Sequence, residues 1–196
     1  MPAKEGKPSR DMPATKTTPP AKTGAARSKS VRVSSLLSED VISIVSPPPE
    51  KGALIESMVK LLCGKKGLGD PAPFLAKVFE REKKISTTLD TGLSLPHNPR
   101  TERAPGAPAG LDPPSLLTNI FAALTVIPDG MTDPMEKDIP ISVMFLFLSP
   151  DRGEFFPMHL QFLRSVASLF QPSLIGALAK APTPAAVLEL IRKAEK

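Results

Sequence analysis

Short apolar runs alternate along this chain with longer segments whose apolar residues fall at helical spacing. Residues 139–148 read Ile-Pro-Ile-Ser-Val-Met-Phe-Leu-Phe-Leu, so both alternating faces are apolar after Ser142. This pattern predicts a strand buried on both sides, which needs a layer of helices on each face of its sheet. Shorter strands are predicted over the β-branched run 41–45 and over 93–95, where two leucines flank Ser94.

Five segments carry the apolar spacing or the start signals of helices. The first is predicted over 50–62 and ends at Cys63 and Gly64, and the second begins at Asp70-Pro71 and runs to Lys83 or Lys84. Residues 159–170 form the third, and Pro172 and Thr183-Pro184 announce two more. The apolar stripes of the first two helices are Leu54, Met58, Leu61 and Leu62, and Phe74, Leu75, Val78 and Phe79.

These elements predict an α/β fold, with a single domain in which a mixed β-sheet is flanked by helices on both faces. Residues 116–127 are apolar enough for either a strand or a helix. The Pro- and Gly-rich residues 104–114 are predicted to form a loop. The domain is expected to span residues 35–196.

Residues 1–34 differ in composition from the rest and are predicted to form a disordered, basic, Pro-rich tail. They hold eight Lys and Arg against two acidic residues, five prolines, and no Leu, Ile or Phe. Such a segment cannot bury enough apolar surface to offset the entropy lost on ordering. Two interpretations stay open, a solvated extension and an arm that contacts nucleic acid, lipid headgroups or acidic proteins.

The basic character of the chain belongs to this tail. The whole chain carries a formal charge of +5 and the tail carries +6, which leaves −1 on the remaining 162 residues. The folded part is therefore not expected to be a basic, nucleic-acid-binding surface.

Two further observations bear on location. The chain has no secretory apolar core and no apolar run of the roughly 18 residues that a membrane span requires. Its single cysteine, Cys63, excludes an intrachain disulfide and fits a reducing compartment. We therefore expect a cytoplasmic protein, with Cys63 as a small buried residue of the first helix.

The candidate chemistry rests on the two histidines of the chain. His97 follows Leu-Ser-Leu-Pro, where a short strand would deliver it just past its end, and His159 opens an amphipathic helix. A neutral imidazole is a nucleophile at physiological pH because its ordinary pKa lies near 6.5. Two histidines and one cysteine without short paired spacing argue against a metal site. The chain also lacks a Gly-Lys phosphate loop and a nucleophile elbow.

The sequence around these histidines resembles a known family. Arg81-Glu82, Ser86-Thr87, Gly92 and Pro96-His97 follow one another in the first segment, and His159-Leu160 with Leu163 forms the second. Together they resemble the enzyme IIA domains of the bacterial phosphoenolpyruvate-dependent phosphotransferase system, of the fructose/mannitol and nitrogen-regulatory type. The chain departs from the usual pattern at Asp90, Ser94 and Asn98, where the family usually has a small residue, alanine and glycine.

The resemblance implies a function and a set of partners. His97 would accept a phosphoryl group from the carrier protein HPr and pass it to a IIB domain or hold it as a regulatory signal. His159 would donate a hydrogen bond to a phosphoryl oxygen and Arg81 would neutralise its charge, with no cofactor and no metal. The hydroxyls of Thr87 or Ser94 would add neutral donors. The resemblance also favours a strand over 122–127.

A second hypothesis stays open beside the phosphocarrier. The domain would keep the same fold without catalysis and would bind partner proteins, with the basic tail as a contact. Asp90 motivates this hypothesis, because its negative charge near a phosphate site would oppose phosphoryl binding. Incorporation of phosphate on His97 separates the two hypotheses.

Overall fold

The computed structural model describes residues 32–98, 119–150 and 155–196. The predicted tail, apart from its last three residues, and the predicted loop 104–114 lie outside these ranges. The described chain forms two short 3-10 helices, four strands and five α-helices. In chain order these are the 3-10 helices Val33–Ser35 and Glu39–Val41, β1 Ile42–Ile44, α1 Lys51–Lys66, α2 Ala72–Lys84, β2 Leu93–Ser94, β3 Phe121–Thr132, β4 Pro140–Leu148, α3 Phe156–Leu169, α4 Pro172–Leu178 and α5 Pro184–Ala194.

The four strands form one mixed sheet in the order β1-β3-β4-β2. β1 runs parallel to β3, β3 and β4 form an antiparallel hairpin, and β2 runs parallel to β4 at the other edge. Residues 122–127 and 143–148 are buried without interruption, so both faces of the central hairpin are covered. The structure thus confirms the predicted α/β class, the mixed sheet and the strand over 122–127.

The register of the hairpin sorts the core residues by face. Phe145 pairs with Leu124 and Phe147 pairs with Ala122, so these four side chains share one face of the sheet. Phe162 of α3 packs on that face, with ring centroids 6.1 Å from Phe145 and 5.1 Å from Phe147. α3 therefore covers the face that carries the two phenylalanines, and its first turn lies over the end of β4.

Three element boundaries differ from the sequence prediction by more than one residue. α1 continues past Gly64 to Lys66 and ends at Gly67, whose φ of 63° suits a left-handed cap. β3 continues past Ile127 through a register shift to Thr132, so Pro128 lies inside a strand. A bulge accommodates a proline because it locally interrupts the ladder of hydrogen bonds. α3 begins at Phe156, three residues before the predicted start, with a proline in its first turn.

The first described residues are tied to the end of the chain. The backbone N–H groups of Val33 and Ser34 donate to the Glu195 carboxylate, at 2.6 and 3.1 Å. Val33 is buried in the core, two residues before the predicted start of the domain at residue 35. Cys63 is also buried, as predicted, and burial raises the pKa of its thiol. Across the three described ranges, no helix is long and apolar enough to cross a membrane.

Candidate functional site

The chain turns tightly at Gly92 before it enters β2 and reaches His97. Its turn requires Gly92, which has a φ of 86° and whose missing Cβ would lie 3.0 Å from the Pro140 carbonyl oxygen. The Gly92 carbonyl accepts a hydrogen bond from the Ser142 amide at 2.9 Å, at the start of β4. β2 then runs along β4, and His97 pairs with Phe147 near the other end of that strand.

The His97 ring is held by stacking and by one backbone hydrogen bond. It lies parallel to the Phe147 ring, with centroids 5.1 Å apart and planes 8° apart. Its Nδ1 lies 2.8 Å from the Leu95 carbonyl oxygen. A carbonyl only accepts, so Nδ1 carries the proton and Nε2 keeps the lone pair. The structure thus delivers His97 just past the strand end, as the sequence predicted, and fixes its tautomer.

Burial and charge keep this imidazole neutral. His97 is buried, and burial lowers its pKa, with the positive charge of Arg81 lowering it further and the hydrogen bond to Leu95 opposing the change. The ring therefore stays unprotonated, with a free nitrogen lone pair, at pH values below the ordinary pKa of histidine.

His159 is brought against His97 from a segment 62 residues further along the chain. The two ring centroids lie 5.4 Å apart with a 56° tilt, and His159 also lies 5.4 Å from the Phe147 ring. Burial, together with a smaller contribution from the neighbouring His97, lowers the pKa of His159 to about 4. The structure therefore brings the two predicted histidines together as a pair of buried, neutral rings.

Asn98 and Ser149 complete this pair, and sequence reasoning did not identify their roles. The Asn98 side chain donates to the Ser149 carbonyl at 2.9 Å and accepts from the Ser149 amide at 2.8 Å. The Ser149 hydroxyl lies 2.8 Å from Nδ1 of His159. Asn98 was noted only as a departure from the family pattern, and Ser149 is the first polar residue after the apolar run 143–148. That position was the available signal for Ser149.

Arg81 is the third predicted site residue, and the structure places it at the end of α2. It is half-buried in the last turn of α2, where its Nη1 donates to the Ile85 carbonyl at 2.9 Å. Burial is the main cause of the lowered pKa of His97, and the positive charge of Arg81 contributes to it. The guanidinium is thus held at the end of α2, within electrostatic range of His97.

A buried ionic network fixes the segment that joins Arg81 to β2. The Lys51 ammonium of α1 lies 2.8 Å from the Glu82 carboxylate and 2.7 Å from the Asp133 carboxylate. All three side chains are buried. Thr87 donates to Glu82 at 2.6 Å, and Ser86 and Thr88 donate to Asp133. Sequence reasoning paired Arg81 with Glu82 but missed Lys51 and Asp133, since no local pattern links residues this far apart in the chain.

The remaining sequence candidates lie elsewhere. The Thr87 hydroxyl is engaged by Glu82. Ser94 pairs with Met144, three residues from Phe147 along β4, so it lies on the face of the sheet opposite His97. Neither hydroxyl is positioned as a donor to a group on His97. Within the described ranges, no group of three or more His, Cys, Asp or Glu side chains is arranged to hold a metal ion.

Asp90 lies at the far end of β2 from His97. It is exposed in the turn beside Gly92, which pairs with Ser142, whereas His97 pairs with Phe147. Five residues of β4 separate these two positions, which is about 17 Å at the rise of an antiparallel strand. Asp90 is exposed to solvent, so screening weakens its interaction with a charge on His97 at that distance, because the Debye length is about 8 Å at physiological ionic strength.

Comparisons with known proteins agree with this architecture. The model of the family described as "Phosphoenolpyruvate-dependent sugar phosphotransferase system, EIIA 2" matches residues 35–194. Comparison with curated protein sequences gives no match.

Several solved structures share the fold. The nitrogen regulatory protein IIA-Ntr of Neisseria meningitidis is 22% identical, with a TM-score of 0.64 over 81% of this chain and 98% of that one. The complex of enzyme IIA and phosphorylated enzyme IIB for mannitol from Escherichia coli gives 18% identity and a TM-score of 0.63 over 80% and 97%. The crystal structure of IIA mannitol from Escherichia coli gives 19% and 0.62 over 79% and 98%.

The family model covers well over half of the chain, and the solved structures share its fold across most of their own length. IIA domains are phosphotransferase components. This chain belongs to the EIIA 2 family of the phosphoenolpyruvate-dependent sugar phosphotransferase system.

Proposed function

We propose that the protein is a phosphohistidine carrier that accepts a phosphoryl group on His97 from HPr. It then passes the group to a IIB domain or holds it as a regulatory signal. One observation carries this proposal: His97 is buried against His159 with its Nδ1 proton committed to the Leu95 carbonyl, which leaves Nε2 as the free nucleophile.

The transfer needs no base. The Nε2 lone pair of His97 forms a bond to phosphorus while the bond between phosphorus and the donor's ring nitrogen breaks, and the bonding pair returns to that nitrogen. The proton on Nδ1 of His97 stays in place throughout, because its hydrogen bond to Leu95 persists. Phosphoryl transfer depends mainly on positioning and on neutralising spread negative charge, and the stacking on Phe147 supplies the positioning.

Two neighbours would stabilise the transferred group. His159 would donate a hydrogen bond to a phosphoryl oxygen from a ring whose centroid lies 5.4 Å from that of His97. Arg81 would supply the positive charge, and its guanidinium keeps donors free beyond the one that binds Ile85. Both roles are electrostatic, so the loss of either residue would slow transfer without removing the acceptor.

The surroundings of the site suit a protein donor. Leu160 follows His159 and is 42% exposed, and Ile85, beside Arg81, is 66% exposed. Exposed apolar side chains next to a buried reactive group favour docking of a partner that excludes water. One of the similar structures is a complex of enzyme IIA with phosphorylated enzyme IIB, which supports a IIB domain as the recipient. These partners belong to the cytoplasm, and we propose that location for this chain.

Intact-mass analysis after incubation with phosphoenolpyruvate, enzyme I and HPr tests the proposal. At mildly alkaline pH we expect one added phosphate, lost on brief acid treatment, as phosphohistidine would be. His97→Ala should take up no phosphate, because it lacks the ring nitrogen that bonds to phosphorus. Backbone amide spectra check that this variant, which loses a buried ring, is folded.

The matched control is His159→Ala, which should still take up phosphate, but more slowly. Phosphate that persists on His97→Ala would exclude His97 as the acceptor. A folded chain that takes up none from an active HPr would favour the non-catalytic interaction domain instead.

A further inference from the structure

We propose that Asn98 and Ser149 are positioning residues that hold His159 as the tautomer with its proton on Nε2. In this arrangement His159 presents an N–H, rather than a lone pair, to a phosphoryl group on His97. This inference rests on the proposed phosphocarrier function and adds to it the source of the hydrogen-bond donor.

The observation is a continuous chain of hydrogen bonds between buried groups. The Asn98 side chain makes two bonds to the backbone of Ser149, and the Ser149 hydroxyl lies 2.8 Å from Nδ1 of His159. All three residues are buried, with exposed fractions of 3%, 3% and 8%. Asn98 directly follows His97, so these hydrogen bonds begin one residue from the predicted phosphoryl acceptor and end at its partner His159.

The direction of the bond between Ser149 and His159 follows from the available partners. A hydroxyl that accepted from an Nδ1–H would need a second acceptor for its own proton. Among the described residues, His159 is the only hydrogen-bond partner of the Ser149 hydroxyl. Leaving a buried hydroxyl proton without a partner is unfavourable, so the hydroxyl donates and Nδ1 of His159 accepts. The single proton of the neutral ring is then on Nε2.

The two histidines therefore occupy opposite tautomers. His97 carries its proton on Nδ1, because its partner is a carbonyl, and keeps a lone pair on Nε2. His159 accepts at Nδ1 and carries a proton on Nε2. The lone pair of one ring attacks phosphorus and the N–H of the other binds a phosphoryl oxygen. If both rings carried the same tautomer, one of these two functions would be lost.

Asn98 gives this arrangement its rigidity. Ser149 follows the last residue of β4, where the ladder of the sheet has ended. The two bonds from the Asn98 amide replace the missing ladder bonds at the Ser149 amide and carbonyl. A glycine at this position would have no side chain to make these bonds.

Long-range proton-nitrogen NMR of the imidazole rings tests the tautomers directly. The ¹⁵N-labelled chain contains only two histidines, so His97→Ala assigns both rings. At pH 7.5 we expect the Nδ1–H form for His97 and the Nε2–H form for His159. Ser149→Ala should move the His159 ring toward a mixture of tautomers and leave the His97 ring unchanged, and Ser149→Thr, which keeps the hydroxyl, should restore the wild-type pattern.

Transfer from phosphorylated HPr supplies the second readout. We expect Ser149→Ala to slow phosphorylation of His97 by up to about tenfold, which is the effect of losing one hydrogen bond. Asn98→Gly should give a smaller decrease in the same direction, and Ser149→Thr should recover most of the rate. Backbone amide spectra of each variant check that the fold is retained.

Two results would overturn the inference. One is an Nδ1–H form of His159 in the wild-type chain, and the other is a Ser149→Ala chain with the wild-type transfer rate. Failure of the proposed function is distinguishable from both. In that case the wild-type chain takes up no phosphate, while the NMR experiment still decides whether Ser149 sets the tautomer of His159.

Discussion

Replacing Lys51 with methionine removes the cation that lies between two buried carboxylates. Its ammonium lies 2.8 Å from Glu82 and 2.7 Å from Asp133, and all three side chains are buried. Methionine keeps a similar length and an apolar stem, so the change removes charge without a large cavity. We expect the variant to be much less stable at neutral pH, because an uncompensated buried charge is more costly than the pair it came from.

The expected decrease in the free energy of unfolding can be calculated in two ways. Breaking a buried ion pair by removing one partner costs about 3–5 kcal/mol. The chain can also escape by protonating one carboxylate, and for an ordinary Asp at pH 7 this costs about 4 kcal/mol, from ~1.4 kcal/mol per pH unit above a pKa near 4. The two values agree. With a typical urea dependence of about 2 kcal/mol per molar, the unfolding midpoint should fall by about 2 M.

The pH dependence of the free energy of unfolding distinguishes the variant more clearly than its stability at a single pH. In the wild-type chain burial opposes the charge of Asp133, but hydrogen bonds from Lys51, Thr88, the Met135 amide and Ser86 outweigh it and hold its pKa well below the usual range. A group with a depressed pKa contributes stability above its unfolded value near 4, and this contribution is lost as the pH falls below that value.

The variant should show a slope of the opposite sign, and at higher pH, between pH 7 and 5. Its native state binds a proton that its unfolded state does not, so its free energy of unfolding should rise by up to about 1.4 kcal/mol for each unit of decreasing pH. Urea unfolding at several pH values measures both slopes. Lys60→Met on the same helix is the matched control, because Lys60 pairs with Glu56 at the surface and should cost about 0.5 kcal/mol or less. Equal losses for the two variants, or a Lys51→Met loss that does not shrink on acidification, would refute the reasoning.

Three further predictions concern the transfer itself. Arg81→Gln should slow phosphorylation of His97 by about ten- to a hundredfold. It should change the stability little, because the guanidinium donates to one backbone carbonyl, that of Ile85. Phosphotransfer rates and urea unfolding measure the two effects separately. Asp90→Asn should change the rate by less than about twofold at physiological salt, since this residue lies at the other end of β2, and a larger increase would contradict the assigned separation. The lowered pKa of His97 predicts that the phosphorylation rate falls on acidification with a midpoint below pH 6.5, with HPr assayed in parallel as the control. A midpoint at or above 6.5 would contradict the buried, neutral ring.

Several elements were predictable because their signals are local. The doubly apolar pattern of 139–148 predicted a central strand, and β4 runs from Pro140 to Leu148. Thr183 and Pro184 predicted a helix start, and α5 begins there with the Thr183 side chain accepting from the Ala186 amide. The glycine predicted to end α1 was Gly64, three residues before the observed one, Gly67. A glycine inside a helix and a glycine that ends one look alike in sequence until φ is known.

By itself the sequence determined the α/β class, the helix and strand segments and the delivery of His97 to a strand end, because periodicity, turn residues and caps act over a few neighbouring residues. The tertiary structure decided which distant groups meet. Parallel pairing of β2 with β4 stacks His97 on Phe147, and docking of α3 brings His159 to the same ring. The bonds of Asn98 to Ser149 likewise join residues 51 positions apart in the chain. Lys51 lies 31 positions from Glu82 and 82 from Asp133. Such contacts depend on strand order and helix docking, which burial of the whole core selects and no local pattern encodes.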